Sequence, residues 1–116
     1  MALEARAIKR FNPGSPRKMR LVADLIRGKN VEEAIDILHY SPYRAAKICE
    51  LTLRSAVANL QTAKESGRIE PEKVYVKSIT VDGGPMAKRI LPAPMGRAYR
   101  IRKRTNHLTI IVSEQE

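Results

Sequence analysis

The sequence predicts an α+β fold: three helices packed on a small antiparallel sheet, with a long β-hairpin that protrudes from the body. Helical periodicity runs from about residue 16 to residue 65. Two segments rich in Val, Ile, Tyr and Thr, 74–82 and 99–112, have the composition of strands. The second would extend about 46 Å, whereas a chain of 116 residues forms a globule only about 35 Å wide. One end of that strand pair must therefore leave the body.

The first strand of the predicted sheet covers residues 2–11, where apolar and charged side chains alternate. A period of two is typical of a strand with one buried face. The sequence Asn12-Pro13-Gly14 then ends the strand, because all three residues favour turns. The apolar side chains expected to face the core are Leu3, Ala5, Ala7 and Phe11.

The first helix begins at a strong N-terminal signal. Ser15 before Pro16 is typical of an N-cap followed by proline at the first helical position. Gly28 is typical of a helix end. Apolar residues recur at helical spacing on one face of this segment, and bases lie on another face. The bases of this outward stripe are Arg17, Arg20 and Arg27.

Two further helices follow the first. Asn30 with Glu33 three residues later has the pattern of a capping box, and Ser41 before a proline repeats the cap signal. The third helix is expected over 42–65, with a length of about 36 Å. Its inner seam consists mainly of small residues, which allow a close approach to a sheet, and Ile48, Leu51 and Leu53 are expected to widen it. The seam residues are Ala45, Cys49, Thr52, Ala56, Leu60 and Ala63.

Positive charge is concentrated at the two ends of the chain, whose formal net charge is +10. Residues 1–29 carry eight bases and two acids, residues 83–116 carry seven bases and two acids, and the middle is close to neutral. A segregated positive field suits a polyanionic partner, because phosphate contacts release counterions and supply much of the affinity. Solubility alone would not require this segregation.

The interval between Asp82 and Glu114 contains no acidic residue, and we expect its first part, an arm over about 83–104, to contact nucleic acid. A connection of this length between two predicted strands is usually functional or disordered. The apolar residues around the second strand favour an ordered arm over a disordered basic tail. A long irregular arm suits folded RNA better than duplex DNA. Three bases that would share one face of an extended strand are Arg100, Arg102 and Arg104.

Other classes of function have little support in the sequence. It contains no phosphate loop, Gly-x-Ser-x-Gly elbow or dinucleotide fingerprint, so we expect no catalytic residue and no cofactor. Cys49 and the two histidines lack metal-ligand spacing, so no metal site is expected, and Cys49 is expected to be a buried helix residue. The second helix of a possible helix-turn-helix is acidic, which disfavours DNA. The absence of Trp disfavours a membrane surface.

The N-terminus lacks the apolar block of a secretory signal, so a cytoplasmic protein is expected. No homo-oligomer is expected either. An enzyme or enzyme subunit that acts on RNA remains the alternative to a non-enzymatic RNA-binding protein.

Several stretches of the chain match a known pattern in order. They are 15–22 (SPRKMRLV), 24–29 (DLIRGK), 55–59 (SAVAN), 81–85 (VDGGP), 88–92 (KRILP), 96–98 (GRA) and 103–109 (KRTNHLT). Together they resemble the L-twenty-two family of bacterial large-subunit ribosomal proteins. The resemblance covers almost the whole chain.

The resemblance implies a single rRNA-binding domain over 1–116 that belongs to the large ribosomal subunit in the cytoplasm. It implies a body on the outer surface of the subunit and a hairpin that threads through 23S rRNA to the wall of the peptide exit tunnel. Such a protein bridges rRNA domains and aids early subunit assembly. Its implied partners are 23S rRNA, neighbouring large-subunit proteins and the nascent peptide, without DNA or a membrane.

The residues expected to bind rRNA combine the basic stripe, the arm and bases of the first strand. They are Arg6, Arg10, Arg17, Lys18, Arg20, Arg27, Lys88, Arg89, Arg97, Arg100, Arg102, Lys103, Arg104 and His107. The resemblance places the hairpin tip near the macrolide-binding region of the tunnel. The tip residues are Lys88, Arg89, Ile90, Leu91, Ala93, Pro94 and Met95.

The tip departs from the family pattern after Pro92, where the family usually has an arginine and a second base. This chain has Ala93, Pro94 and Met95 there. We therefore expect rRNA anchoring at Lys88, Arg89 and Arg97, while residues 93–95 line the tunnel.

Overall fold

The computed structural model describes residues 3–64, 67–92, 94–96 and 98–114. Its α-helices and strands, in chain order, are β1 (Glu4–Pro13), α1 (Pro16–Ile26), α2 (Val31–His39), α3 (Arg44–Ala63), β2 (Val74–Gly83), β3 (Ala87–Pro92), β4 (Ala98–Lys103) and β5 (Thr105–Glu114). Short 3-10 turns lie at Pro71–Lys73 and Pro94–Gly96. None of these helices has the length and hydropathy that crossing a membrane requires.

The strand β5 is the centre of a three-stranded antiparallel sheet with the order β1-β5-β2. Ile110 of β5 is paired with Ala7 on one side and with Ile79 on the other. Alternate β5 side chains, including Leu108 and Val112, are fully buried, and α1 and α3 pack against β5 and its neighbours. The predicted α+β fold, with three helices on a small antiparallel sheet, is confirmed.

Helix α1 forms as predicted. The hydroxyl of Ser15 accepts a hydrogen bond from the backbone N–H of Lys18 at 3.3 Å, and Pro16 occupies the first turn. Its buried face consists of Met19, Val22, Ala23 and Ile26. This spacing places four apolar side chains on one stripe, which explains why the helix packs inward.

Asn30 is the N-cap of α2, as predicted. Its side chain accepts from the backbone N–H of Glu32 at 2.9 Å, rather than from that of Glu33 as in a capping box. Helix α3 begins at Arg44 rather than at residue 42 and has no side-chain cap. The reason is local: the hydroxyl of Ser41 accepts from the N–H of Tyr43 at 3.3 Å, which forms a turn before the helix.

Helix α3 buries much of the expected seam. Thr52, Ala56 and Leu60 are buried, Ala45 is half-buried and Ala63 is exposed. The prediction that Leu51 widens the seam is wrong, because this side chain is 60% exposed, whereas Leu53 is 0% exposed. The seam is completed instead by Ala46, which the sequence pattern did not include.

Cys49 lies inside this seam and is 0% exposed, as expected of a buried helix residue. Burial raises the pKa of its thiol to about 12, because an apolar environment disfavours the thiolate. The described residues contain no group of three His, Cys, Asp or Glu side chains that could hold a metal ion.

The prediction that Phe11 faces the core is wrong. Its side chain is 63% exposed, and its backbone adopts a positive φ of 56°, which is a strained conformation for a bulky residue. The cause is a register shift in the β1–β5 pairing between Lys9 and Asn12. An irregularity of this kind reverses the inside–outside alternation of a strand, so Asn12 becomes the buried residue.

A buried amide pair holds this irregularity in place. The side-chain nitrogen of Asn12 donates to Lys9 O at 3.0 Å and to Asn106 Oδ1 at 3.2 Å. In turn, the side-chain nitrogen of Asn106 donates to Gly14 O at 3.3 Å. These bonds satisfy both side-chain nitrogens and Asn106 Oδ1, which would otherwise be costly to bury. Asn12 Oδ1 is also buried, and it accepts no hydrogen bond within the described part of the chain.

The predicted strand 99–112 is divided into β4 and β5, with Arg104 between them. The two strands belong to different sheets: β4 pairs only with β3 among the strands described, with Ala87 opposite Lys103 and Pro92 opposite Ala98. The break coincides with a change of partner, since Gly14 N donates to Arg104 O at 3.0 Å. The molecule measures 67 × 24 × 16 Å, so its long axis far exceeds the ~35 Å of a globule of this length.

Candidate nucleic-acid interface

Acidic side chains in the body are paired with a particular set of bases. The pairs are Asp24 with Arg27, Glu33 with Lys29, Glu50 with Arg54 and His39, Glu70 with Lys73, Glu114 with Lys64, and Glu4 with Lys77. The hydrogen bond from Lys77 to Glu4 raises the pKa of Lys77. Most of these pairs are exposed, and exposed ion pairs stabilise a fold little, whereas Lys64 and Glu114 are 24% and 17% exposed. The pairs do, however, offset the charge of the lysines and arginines that take part in them.

A second set of bases has no ion-pair partner among the residues that the structure describes. Its members are Arg6, Lys9, Arg10, Arg17, Lys18, Arg20, Arg44, Lys47, Arg68, Lys103 and Arg104. All of these residues are exposed. Most of them lie on β1, in the first turns of α1 and α3, and at the end of β4. The positive charge that is not paired with an acidic residue is therefore concentrated in a few segments of the chain.

Two arginines of the predicted α1 stripe have structural partners. Arg20 Nη2 donates to Val81 O at 3.0 Å, and Arg27 Nη1 donates to Ile79 O at 2.8 Å. Both carbonyls belong to β2, an edge strand of the sheet. These side chains therefore tie α1 to the sheet, although each guanidinium has five N–H donors and keeps some for another partner. In the same stripe, Arg17 has no such side-chain bond within the described residues.

The bases of the arm lie on β3, on β4 and just after β4. Lys88 is exposed and is opposite Arg102, and Arg89 is opposite Ile101. Arg100 is opposite Ile90, and the bases Lys103 and Arg104 that follow are exposed. The pairing of β3 with β4 thus places basic residues of both strands near one another in the register.

The predicted tip is described only in part. Leu91 lies on β3, opposite Tyr99. Pro94, Met95 and Gly96 form a turn in which Met95 has a φ of 63° and its side chain is 96% exposed. Ala93 and Arg97 lie outside the described residues.

His107 lies at the base of the arm and has a structural contact. Its Nδ1 accepts a hydrogen bond from the backbone N–H of Phe11 at 3.0 Å. The ring also packs edge-to-face on Phe11, with centroids 4.9 Å apart. The predicted contact of His107 with rRNA stays a prediction, and the observed contact stabilises the irregular end of β1.

Gly84 lies at the same junction, where the chain leaves β2. Its backbone N–H donates to Thr105 O at 3.0 Å, and Thr105 Oγ1 donates to Pro85 O at 2.6 Å. A Cβ at position 84 would lie 2.5 Å from Thr105 Oγ1 and 3.2 Å from His107 Nε2. The close approach of these segments therefore requires glycine.

Gly84→Ala is expected to lower the free energy of unfolding by about 1–3 kcal/mol, the usual cost of overpacking. Gly83→Ala is the matched control, because a Cβ there would lie 3.9 Å from Pro16 Cγ, an ordinary contact. Thermal denaturation followed by circular dichroism would compare the two variants. Equal stability of both would contradict the close approach at Gly84.

Two adjoining cavities lie beside the turn Pro13–Ser15. The first, of about 810 Å³, lies between α1 and the start of α3, and the second, of about 650 Å³, extends to the base of the arm. The first brings Tyr43, Arg44 and Lys47 beside Lys18. Sequence reasoning missed these three residues at the start of α3 because the middle of the chain is close to neutral overall. The i, i+3 spacing of Arg44 and Lys47, which places both on one helix face, was the available signal.

Comparison with known proteins identifies the relatives of this chain. The sequence profile of the family described as "Ribosomal protein L22p/L17e" matches residues 7–113. A protein of Chlorobaculum tepidum named large ribosomal subunit protein uL22 is 55% identical over 114 residues, covering 98% of this chain and 96% of the relative. A protein of Geobacter sulfurreducens with the same name is 47% identical over 114 residues, covering 98% of this chain and all of the relative.

These matches confirm the resemblance found in the sequence. The relatives are ribosomal proteins, and the prediction that the chain is not an enzyme is confirmed by the family. The profile spans β1 through β5, so the sheet, the helices and the basic arm all fall within the matched region. The chain belongs to the ribosomal protein L22p/L17e family.

Proposed function

We propose that this protein is a structural component of the large ribosomal subunit in the cytoplasm, where it binds and bridges 23S rRNA. The observation that carries the proposal is the acid-free basic interval from Gly83 to Ser113 in a chain of this family. Phosphate contacts by such a segment provide affinity for any folded polyanion. Family membership supplies the reason to choose rRNA of the large subunit and the neighbouring large-subunit proteins as partners.

The body contributes a second set of contacts to this proposal. Arg6, Arg10, Arg17 and Lys18 are exposed and have no ion-pair partner in the described part of the chain. These bases precede the middle of the chain, whereas the arm follows it. A protein with basic residues both on a body and on an arm can contact more than one RNA segment at once, which is the property that bridging and early assembly require.

The arm over 83–104 is proposed to protrude from the body as a hairpin. The antiparallel register from Ala87–Lys103 to Pro92–Ala98 supports this proposal. The 67 Å long axis also supports it, because a globule of this length would be about 35 Å wide. The contacts of Gly84 and Arg104 with Thr105 and Gly14 would fix the direction in which the arm leaves.

The tip of the arm is proposed to line the exit tunnel for the nascent peptide. Lys88, Arg89 and Arg97 would anchor it to rRNA, and residues 93–95 would face the tunnel. The support is chemical: Met95 is almost fully exposed and, like Ala93 and Pro94, carries no charge for a phosphate. An exposed apolar tip on a basic arm suits a wall along which peptides pass.

Direct binding tests the rRNA proposal. The purified chain would be titrated with fluorescently labelled 23S rRNA, and with 16S rRNA of the small subunit as the control, over a range of salt concentrations. We expect tighter binding to 23S rRNA and an affinity that falls steeply with salt, because each phosphate contact releases counterions. Equal affinity for both rRNAs, or an affinity independent of salt, would refute the proposal.

A photo-crosslinking residue in place of Met95 is expected to form adducts with nascent chains on stalled ribosomes. The matched control is the same residue in place of Tyr40, which is 82% exposed and lies at the end of α2 in the body. Adducts would be read by gel shift of the labelled nascent chain. No adduct at position 95, while a control site on the tunnel wall gives adducts, would count against the tip assignment.

A further inference from the structure

The two cavities beside the turn Pro13–Ser15 share four lining residues, Pro13, Gly14, Ser15 and Lys18. They are therefore adjoining cavities, here called the trough, which reach from the space between α1 and α3 to the base of the arm. The first cavity alone is within the range of ligand pockets. The trough connects the two basic regions of the molecule.

Five bases line the trough, and none of its lining residues is acidic. They are Lys18, Arg44, Lys47, Lys103 and Arg104. All five are exposed and have no ion-pair partner among the residues that the structure describes. Like charges along one depression repel each other, and a chain of phosphates would offset this repulsion along the whole trough.

The first cavity also has apolar lining residues, among them Leu21, Pro42 and Ile48. Tyr43 is 53% exposed, and its ring has no aromatic partner within the described part of the chain. A phosphate requires no such surface, whereas a nucleobase stacks on aromatic and apolar side chains.

A trough lined by basic, apolar and aromatic side chains matches an unpaired strand better than a duplex. In a duplex the bases are stacked inside the helix, so that only phosphates and groove edges could meet the trough. In an unpaired segment, the nucleobases can turn toward the trough while the phosphates contact its basic side chains. An acidic peptide would satisfy the charge, but its side chains would leave the Tyr43 ring without a stacking partner.

We propose that the trough binds an unpaired RNA segment that passes from the body to the base of the arm. A nucleobase lies on Tyr43 and Leu21. Its neighbouring phosphates contact Lys18, Arg44 and Lys47, and the following phosphates contact Lys103 and Arg104. This inference rests on the proposed function, because it names the form of rRNA that one surface of the protein recognises.

Fluorescence anisotropy with a 12-nucleotide oligouridylate and with a 12-base-pair RNA duplex tests the stacking contact. Tyr43→Ala is expected to weaken binding of the single strand about 5- to 150-fold and to leave duplex binding unchanged. Tyr43→Phe retains the ring and should bind like the unmodified protein. Tyr40→Ala, which removes an exposed tyrosine outside the trough lining, should also leave binding unchanged.

The charge contacts are tested by Arg44→Ala combined with Lys47→Ala. Loss of two phosphate contacts should lower the salt slope for the single strand by about 1.4. The matched control combines Lys29→Ala with Lys73→Ala, which removes the same charge from two bases that are paired with acids. The control should lower the slope less.

The trough proposal is overturned if Tyr43→Ala does not change single-strand binding, if it weakens duplex binding equally, or if the two double variants behave alike. These failures are distinct from failure of the proposed function. If only the trough proposal fails, the unmodified chain still binds 23S rRNA in preference to 16S rRNA. If the proposed function fails, that preference is absent, whatever the oligonucleotides show.

Discussion

Alanine in place of Arg100, Arg102 and Arg104 is expected to weaken binding to 23S rRNA and to flatten its salt dependence. Arg100 and Arg102 are alternate positions of β4, opposite Ile90 and Lys88, and Arg104 directly follows the strand. Alternate positions of a strand lie on one face. If each arginine contacts one phosphate, the salt slope should fall by about 0.7–0.9 per residue, or about 2–3 in total.

The control for this variant removes the same charge elsewhere. Lys29, Arg54 and Lys73 pair with Glu33, Glu50 and Glu70. Arg54 and Lys73 are exposed, and Lys29 is half-buried. Their triple replacement with alanine changes the net charge equally, but it does not touch the arm. We expect a clearly smaller change of slope, measured by titration of labelled 23S rRNA at several salt concentrations. An unchanged slope for the arm variant, or the same change in both, would contradict the role of the arm.

Leu53→Ala is expected to lower the free energy of unfolding by about 3–5 kcal/mol. Leu53 is 0% exposed in α3, and the substitution would remove buried apolar surface and leave a cavity. This loss is large beside the total stability of about 5–15 kcal/mol that is usual for a small domain. Urea denaturation followed by circular dichroism would measure it.

Leu51→Ala is the matched control, because it is the same substitution two residues earlier in the same helix. Its side chain is 60% exposed, so little apolar contact is lost, and alanine favours the helix. We expect a change of less than about 1 kcal/mol, since exposed substitutions usually have small effects. Similar losses at both positions would mean that α3 packs with another face against the sheet.

Some elements could be predicted from the sequence because their signals are local. Ser15 and Pro16 define the start of α1 through a hydrogen bond that spans three residues. The spacing of Met19, Val22 and Ile26 defines its buried face. Both signals are local in the sequence, so they predict the helix without knowledge of the tertiary structure.

The end of β1 could not be predicted, because its conformation depends on distant residues. Alternation indicated that Phe11 would be buried, and no local residue indicates the register shift. The shift depends on Asn106 and His107, about 95 residues away, which bind Asn12 and the backbone of Phe11. An amide pair across two strands becomes visible only when the strands are paired.

The part of the candidate site that lies in the arm could be predicted, because the sequence there contains basic residues and no acidic residue. It was not predictable in the middle of the chain, where nearly balanced numbers of acidic and basic residues conceal their arrangement. Glu50 pairs with Arg54 and His39, and this leaves Arg44 and Lys47 without an acid. Conversely, Arg20 and Arg27 were expected to lie on an outward stripe that binds rRNA, and their donation to carbonyls of β2 was not predicted.

The central claim is that this protein is built into the large ribosomal subunit through rRNA contacts. Sedimentation of a cell lysate through a sucrose gradient at high salt tests it most directly, with the protein followed by immunoblot. We predict that the protein remains with the large subunit after the salt wash and forms ultraviolet cross-links to 23S rRNA there. Its recovery in the soluble fraction, with none in the large-subunit peak, would contradict the claim.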